Sequence, residues 1–242
     1  MTEIHLSIVI PAYKEEDRIH LILDAVEKYI RSKDFLVETI VAVDASPDKT
    51  AEAAKKYHDR IPNLKVIEGK VNKGKGGAVQ EGIMHASGDY ILFADADNST
   101  PIEQTDKLLK YVNKYEVVIG SRYCEGGKLA IPQSLTRRLG SRVLNLIIQS
   151  IAISGIRDTQ CGFKLFERKA AEQIFSRQTI FGFSFDIEIL AIARRLGYNI
   201  KEAGITWYDD PHSTVSPIKD GLRMVIDAWQ VRKNIMARKY NR

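Results

Sequence analysis

The sequence predicts an α/β fold: a doubly wound, mostly parallel sheet flanked by helices. Three observations predict it. Five short apolar runs, Leu6 to Ala12, Phe35 to Asp44, Leu64 to Glu68, Tyr90 to Ala94 and Val117 to Gly120, alternate with helix-patterned segments, as parallel strands joined by crossover helices do. Polar residues gather where these runs end: Tyr13 and Glu15, Asp44 and Ser46, Lys73 to Gly77, Asp95 and Asp97, Ser121 and Arg122. Ligands of such sheets bind along that carboxyl rim. Finally, 242 residues suit one domain able to bury roughly three quarters of its unfolded surface, so residues 1–242 are expected to form a single unit.

Taken in order, Leu6 to Ala12 reads as a buried strand that Pro11 brings to an end, before a helix from about Glu15 to Arg31. Phe35 to Asp44 is the second strand, and Ser46 is the expected N-cap of a helix through Tyr57. Leu64 to Glu68 follows, then a glycine-rich turn opening a helix from about Gly76 to Ala86, a Ser87-Gly88-Asp89 turn and the strand Tyr90 to Ala94. After Gly120 the alternation stops. Residues 121–134 are expected to form a loop, and Leu135 to Ser154 a helix that is basic at its start (Arg137, Arg138, Arg142) and apolar beyond, suited either to a core or to a membrane interface. A short strand Phe163 to Phe166, a helix Lys169 to Phe175, the loop FGFSF at 181–185, a helix Asp186 to Leu196 and an edge strand Ile200 to Trp207 come next. The last helix carries Leu222, Val225, Ile226 and Trp229 as one apolar stripe.

Composition narrows the function classes. The longest greasy segment, Val143 to Ile153, contains Asn145, Gln149 and Ser150 and falls short of the ~20 apolar residues of a membrane span. The amino terminus lacks the basic and cleavage regions of a signal peptide. A cytoplasmic or peripheral protein is expected. Cys124 and Cys161 have neither CxxC spacing nor companion histidines, against a zinc site or a disulfide framework. From Pro217 to Arg242 seven Lys/Arg face two Asp, which accounts for the whole net charge of +5. A basic end suits an anionic partner or simply a solvated helix face. Aromatic residues are not interleaved with it as a stacking platform, which argues against nucleic acid.

The stretch Asn72 to Pro101 carries the chemistry. Asp95 and Asp97 follow a buried strand, and period-two alternation would place both carboxylates on one side. Oxygen ligands there suit Mg2+ or Mn2+, completed by phosphate oxygens of a substrate, although an isolated DxD also fits a solvated turn. Gly69 to Gly76 superficially matches a P-loop, but Gly76 stands where a Ser/Thr hydroxyl should meet the metal.

The segments SIVIPAYKEE, VDASPDKT, NKGKGGAVQEGI, ADADNST, GSRY and GIRDTQCGFKLF, in that order, resemble the family 2 inverting glycosyltransferases of GT-A (Rossmann-like) fold. GIRDTQCGFKLF and NKGKGGA are most similar to the polyprenyl (dolichyl) phosphate glucosyltransferase branch, more than to the mannose synthases. The resemblance runs from about Leu6 to Trp229. It implies a nucleotide-sugar half, 1–120, and an acceptor half with interfacial helices, 121–242. By it, Pro11, Tyr13, Glu15 and Asp44 face the nucleotide, and Lys73, Gly74, Lys75 and Gly76 form the loop beside the diphosphate. Asp95 and Asp97 hold Mg2+ or Mn2+. Arg122, Arg137 and Ser141 grip the lipid phosphate, and with Asp97 these form the catalytic set. The donor implied is UDP-glucose, with GDP-mannose as the alternative, and the acceptor is polyprenyl phosphate at the cytoplasmic face of a membrane.

A phosphate monoester, with a second pKa of about 6, is already an anion and needs no strong base. Asp158 and Asp186 are the nearest candidates if one is used. Three positions depart from the family pattern: Asp44 follows Val43 where paired acids are frequent, Lys49 replaces a glycine, and Ser99 stands where mannose synthases have glutamine. A soluble transferase acting on a sugar hydroxyl and a non-catalytic surface-binding protein remain alternatives at this level.

Overall fold

The computed structural model describes residues 4–130, 135–208 and 217–241, without the side chains of 135–139, 141–142 and 217–220. The elements are β1 (Leu6–Ala12), α1 (Ile19–Arg31), β2 (Val37–Val43), α2 (Thr50–Lys55), β3 (Leu64–Glu68), α3 (Lys75–Met84), β4 (Tyr90–Ala94), α4 (Thr105–Leu109), β5 (Val117–Ser121), β6 (Lys128–Leu129), α5 (Leu135–Ile151), β7 (Phe163–Glu167), α6 (Arg168–Phe175), α7 (Phe185–Arg195), β8 (Ile200–Gly204), β9 (Thr206–Trp207) and α8 (Pro217–Met236).

Seven strands form one sheet in the order β3-β2-β1-β4-β7-β5-β8. All neighbours are parallel except β7, which runs antiparallel to both β4 and β5. The inner strands β1, β2, β4, β5 and β7 are buried on both faces, which is why most of them read as nearly continuous apolar runs. One face packs Leu6, Ile8 and Ile10 against Ile22, Leu23 and Val26 of α1. The other packs Val9, Ile91 and Phe93 against Val79 and Ile83 of α3 and Phe185 and Ile189 of α7.

Several expectations are corrected. Helix α1 begins at Ile19, not Glu15, because residues 13–18 cross the rim: Lys14 has φ 59°, and the N–H groups of Lys14 and Glu15 donate to Ser46 Oγ and Thr50 Oγ1 at 2.8 Å each. Ser46 is accordingly not an N-cap. It braces that turn and donates to Asp48 Oδ1 at 2.6 Å, while α2 begins at Thr50. The 121–134 loop contains β6, which pairs with β9. The expected edge strand 200–207 is therefore split: β8 follows β5 to Gly204, and beyond it Ile205 O accepts Lys128 N at 2.9 Å. The facing of the last helix's stripe, which spacing leaves open, is outward: α8 buries Met224, Ala228 and Val231 while Leu222, Ile226 and Trp229 are 66%, 60% and 51% exposed. Residues 209–216, most of the YDDPHSTVSP loop, lie outside the described residues.

Candidate active site

The rim is assembled from tight turns. Lys14, Ala45 and Asn98, beyond the ends of β1, β2 and β4, all have positive φ (59°, 47° and 53°), a conformation unusual for residues with a side chain and concentrated at functional turns. After Ala94 the chain does not stay extended as expected but turns at Ala96 and Asp97. The two carboxylates nevertheless stay close. Burial, then the charge of Asp95, raises the pKa of Asp97, whose Oδ1 accepts Ser99 N at 2.8 Å. Asp95 Oδ1 lies 2.7 Å from Lys75 Nζ, a close charge-assisted contact. Burial opposes the charge on Lys75, but Asp95 and Asp186 together outweigh it and raise its pKa.

The residues expected around the nucleotide line the same rim. Pro11 is buried within β1, and Tyr13 beyond it is exposed. The Glu15 carboxylate receives Arg18 Nε at 2.7 Å and Nη2 at 2.9 Å. Buried Asp44 accepts Lys73 N at 2.8 Å and Gly74 N at 2.7 Å, so it fixes the glycine loop. Gly74 has φ 88°, which glycine adopts without strain. Gly76 is glycine for a different reason: a Cβ there would lie 2.6 Å from Phe185 Cβ. Phe181 O accepts Gly76 N at 2.8 Å and Gly77 N at 3.3 Å. Those amides therefore cap onto the 178–185 segment instead of opening a P-loop cradle.

In the half expected to meet the acceptor, Arg122 is held in a fork by buried Asp158, Nε to Oδ2 at 2.8 Å and Nη2 to Oδ1 at 2.7 Å, with its backbone N also donating to Oδ2. Asp158 N is fixed by Glu202 Oε1 at 3.0 Å, and the Trp207 ring lies 5.0 Å from the guanidinium carbon. Buried Asp186 pairs with fully buried Lys164. Arg137 and Ser141 fall in the opening turns of α5, and their side chains lie outside the described residues. Burial, then Asp158, pushes the Cys161 thiol up to about 12, which makes it a poor nucleophile.

Sequence reasoning missed Lys164 and Gly162, both inside GIRDTQCGFKLF. A lysine in an otherwise apolar strand was the available signal for the first. It also missed Glu188, whose buried carboxylate accepts Ile180 N at 2.7 Å and Tyr240 Oη at 2.8 Å and so ties the 178–185 segment to the carboxyl terminus.

Among the described residues no group of three or more His, Cys, Asp or Glu is placed to hold a metal. Asp95 and Asp97 would offer two carboxylates, a set that fits a Mg2+-like ion drawing its other ligands from phosphate and water. The Lys75 ammonium 2.7 Å from Asp95 Oδ1 shows that this carboxylate attracts a cation, which agrees with that fit.

The fold matches that of GT-A glycosyltransferases. Glucosyl-3-phosphoglycerate synthase from Mycobacterium tuberculosis, solved in complex with Mn2+ and uridine-diphosphate-glucose, aligns with a TM-score of 0.68 at 21% identity, over 94% of this chain and 78% of that chain. Mannosyl-3-phosphoglycerate synthase from Rubrobacter xylanophilus aligns at 0.69 and 18% identity, over 97% and 75%. These likenesses establish the fold. The family model for glycosyl transferase family 2 matches residues 7–175, and the chain belongs to that family. Among curated relatives, the dolichyl-phosphate beta-glucosyltransferase of Dictyostelium discoideum is 34% identical over 95% of this chain and 74% of its own length. That of Homo sapiens is 34% identical over 94% and 74%.

Proposed function

We propose that the chain transfers glucose from UDP-glucose to a polyprenyl (dolichyl) phosphate with inversion, giving a β-linked lipid phosphosugar and UDP. The observation that carries this reading is the state of the carboxylates. Asp158 is bound by Arg122 and Asp186 by Lys164, so neither candidate base is poised to deprotonate a sugar hydroxyl. A phosphate acceptor needs no such base, since it is anionic at neutral pH. Its oxygen attacks C1 of the α-linked donor from the face opposite UDP, the new C1–O bond forms as the C1–O bond to UDP breaks, and UDP departs with the electron pair. Arg122, aimed by Asp158, meets the acceptor phosphate with its remaining donors, joined by Arg137 and Ser141. The loop Lys73 to Gly76 lies along the diphosphate, and Pro11, Tyr13, Glu15 and Asp44 border the nucleotide. A divalent cation, Mg2+ or Mn2+, held by Asp95 and Asp97 would neutralise charge on the departing diphosphate.

The acceptor half supports a membrane-surface reading. Helices α5 and α8 are joined by Arg232 Nη1 to Ile151 O at 3.0 Å, and Val143, Leu146 and Ile147 of α5 are exposed together with the outward stripe of α8. Among the described residues no helix is long and apolar enough to cross a membrane. Apolar side chains beside a basic tail suit shallow, reversible insertion at an anionic surface, here assigned to the cytoplasmic face.

Thermal stabilisation by UDP, UDP-glucose, GDP and GDP-mannose, each with Mn2+ or EDTA, tests the donor. Metal-dependent stabilisation by the uridine nucleotides is expected. Preference for GDP-mannose would overturn the glucosyl assignment, and no response to any of them would overturn the transferase reading.

A further inference from the structure

Gly162 lies at the mouth of β7, opposite Asp95. Its carbonyl accepts Asp95 N at 3.1 Å, one step beyond the Ala94–Phe163 pairing of β4 and β7. The Asp95 side chain folds across its Cα. A Cβ on Gly162 would lie 1.9 Å from Asp95 Oδ2, 2.3 Å from Cγ and 2.6 Å from Oδ1, all far inside van der Waals contact. Gly162 is not among the residues with positive φ, so the position demands glycine for space and not for backbone conformation.

The surrounding backbone has little room to yield. β7 is hydrogen-bonded along both edges, to β4 and to β5. Lys164 Nζ donates to Cys161 O at 2.5 Å and pairs with Asp186 at the start of α7, which pins the residue before Gly162. The Asp95 carboxylate is thus confined between the bare Gly162 backbone and the Lys75 ammonium 2.7 Å from Oδ1.

We infer that Gly162 is a positioning residue for the divalent-metal site: it forms a slot without a side chain that sets the Asp95 carboxylate, with the Lys164–Asp186 pair as the strut behind it. The inference rests on the reading of Asp95 as a metal ligand. Any side chain at 162 forces that carboxylate off its position and leaves Asp97 to hold the ion with a misplaced partner.

A double-mutant cycle tests it. With UDP present, Gly162→Ala is expected to weaken Mn2+ binding, followed by calorimetry and by the Mn2+ electron paramagnetic resonance signal, by about 10- to 100-fold, as for other residues that orient a metal ligand. It should also lower the melting temperature of the metal-free protein by about 3–10 °C. In the Asp95→Ala background the carboxylate is gone, so adding Gly162→Ala should change neither Mn2+ affinity nor melting temperature appreciably. If Gly162→Ala alone fails to fold, a folded double variant carries the same conclusion, since it shows that the clash was with Asp95. Wild-type Mn2+ affinity in Gly162→Ala, an equal loss of stability in both backgrounds, or a double variant that fails to fold would overturn the inference. A wild-type protein that binds no Mn2+ with UDP would instead overturn the metal reading beneath it, while the stability half of the cycle still judges the contact between Gly162 and Asp95.

Discussion

The carboxyl rim of the sheet and the α5/α8 pair handle their side chains in opposite ways. At the rim, charged groups are buried and individually fixed: Asp44 by two backbone amides, Asp158 by Arg122, Asp186 by Lys164. On α5 and α8, apolar groups are exposed, with Leu146 64% and Met236 75% accessible. A rim built of satisfied polar groups is preorganised, because each position is set by a partner and not by its own rotamer preference. Among the described residues the exposed apolar face has no such partner, and such a face gains by meeting an apolar phase. On the proposed reading, chemistry belongs to the rim and membrane contact to the helical pair, so substitutions should affect one without the other.

The largest expected effect is at the rim. Asp97→Asn should lower glucosyl transfer by about a thousandfold, in the range seen on removing one stabiliser of departing charge, while leaving vesicle binding unchanged. The same substitution should raise the stability of the metal-free protein. The pKa of Asp97 is raised in the fold by burial and by Asp95, so the native state holds its proton more tightly than the unfolded chain does. Stability therefore falls as pH rises from the ordinary carboxylate range through the raised pKa, and the penalty persists at neutral pH. Melting curves should show Asp97→Asn above wild type at pH 7 in EDTA and equal to it at pH 3; wild type above the variant at pH 7 would contradict this sign.

Arg122→Ala ranks next. It leaves Asp158, 2% exposed, as a buried charge without its guanidinium, at a cost of about 3–5 kcal/mol visible in urea unfolding, together with a higher KM for the lipid acceptor and little change for UDP-glucose. An unchanged acceptor KM would remove Arg122 from the acceptor site. The smallest effect belongs to the helical pair. Ile226→Asp should weaken flotation with anionic vesicles by roughly tenfold, the value of one apolar side chain removed from an interface, and leave transfer to a short, water-soluble polyprenyl phosphate intact. Equal losses in both assays would collapse the distinction between the two regions.

Legibility followed the same division. The five runs that alternate with helices appear as strands, with Leu6–Ala12, Leu64–Glu68 and Tyr90–Ala94 at the expected limits; for the inner strands this is because burial on both faces leaves a run that local pattern alone reveals. The acidic pair was equally visible. What lies between distant segments was not. Nothing local to FKLFE says that it runs antiparallel between β4 and β5, and nothing local to Ser46 says that Lys14 N claims its hydroxyl. The Leu222, Ile226 and Trp229 stripe has helical spacing whether it faces a core or the outside, so period alone could not assign its side. The role of Gly162 depends on an aspartate 67 residues earlier in the chain, a relation that only the paired strands bring into view.

The anomalous diffraction of manganese, in a crystal of this protein grown with Mn2+ and UDP-glucose, locates the ion directly. A peak is expected beside Asp95 and Asp97, within bonding distance of both carboxylates and of the diphosphate. A peak elsewhere, with UDP-glucose bound and those two side chains turned from it, would remove the metal role proposed for Asp95 and Asp97.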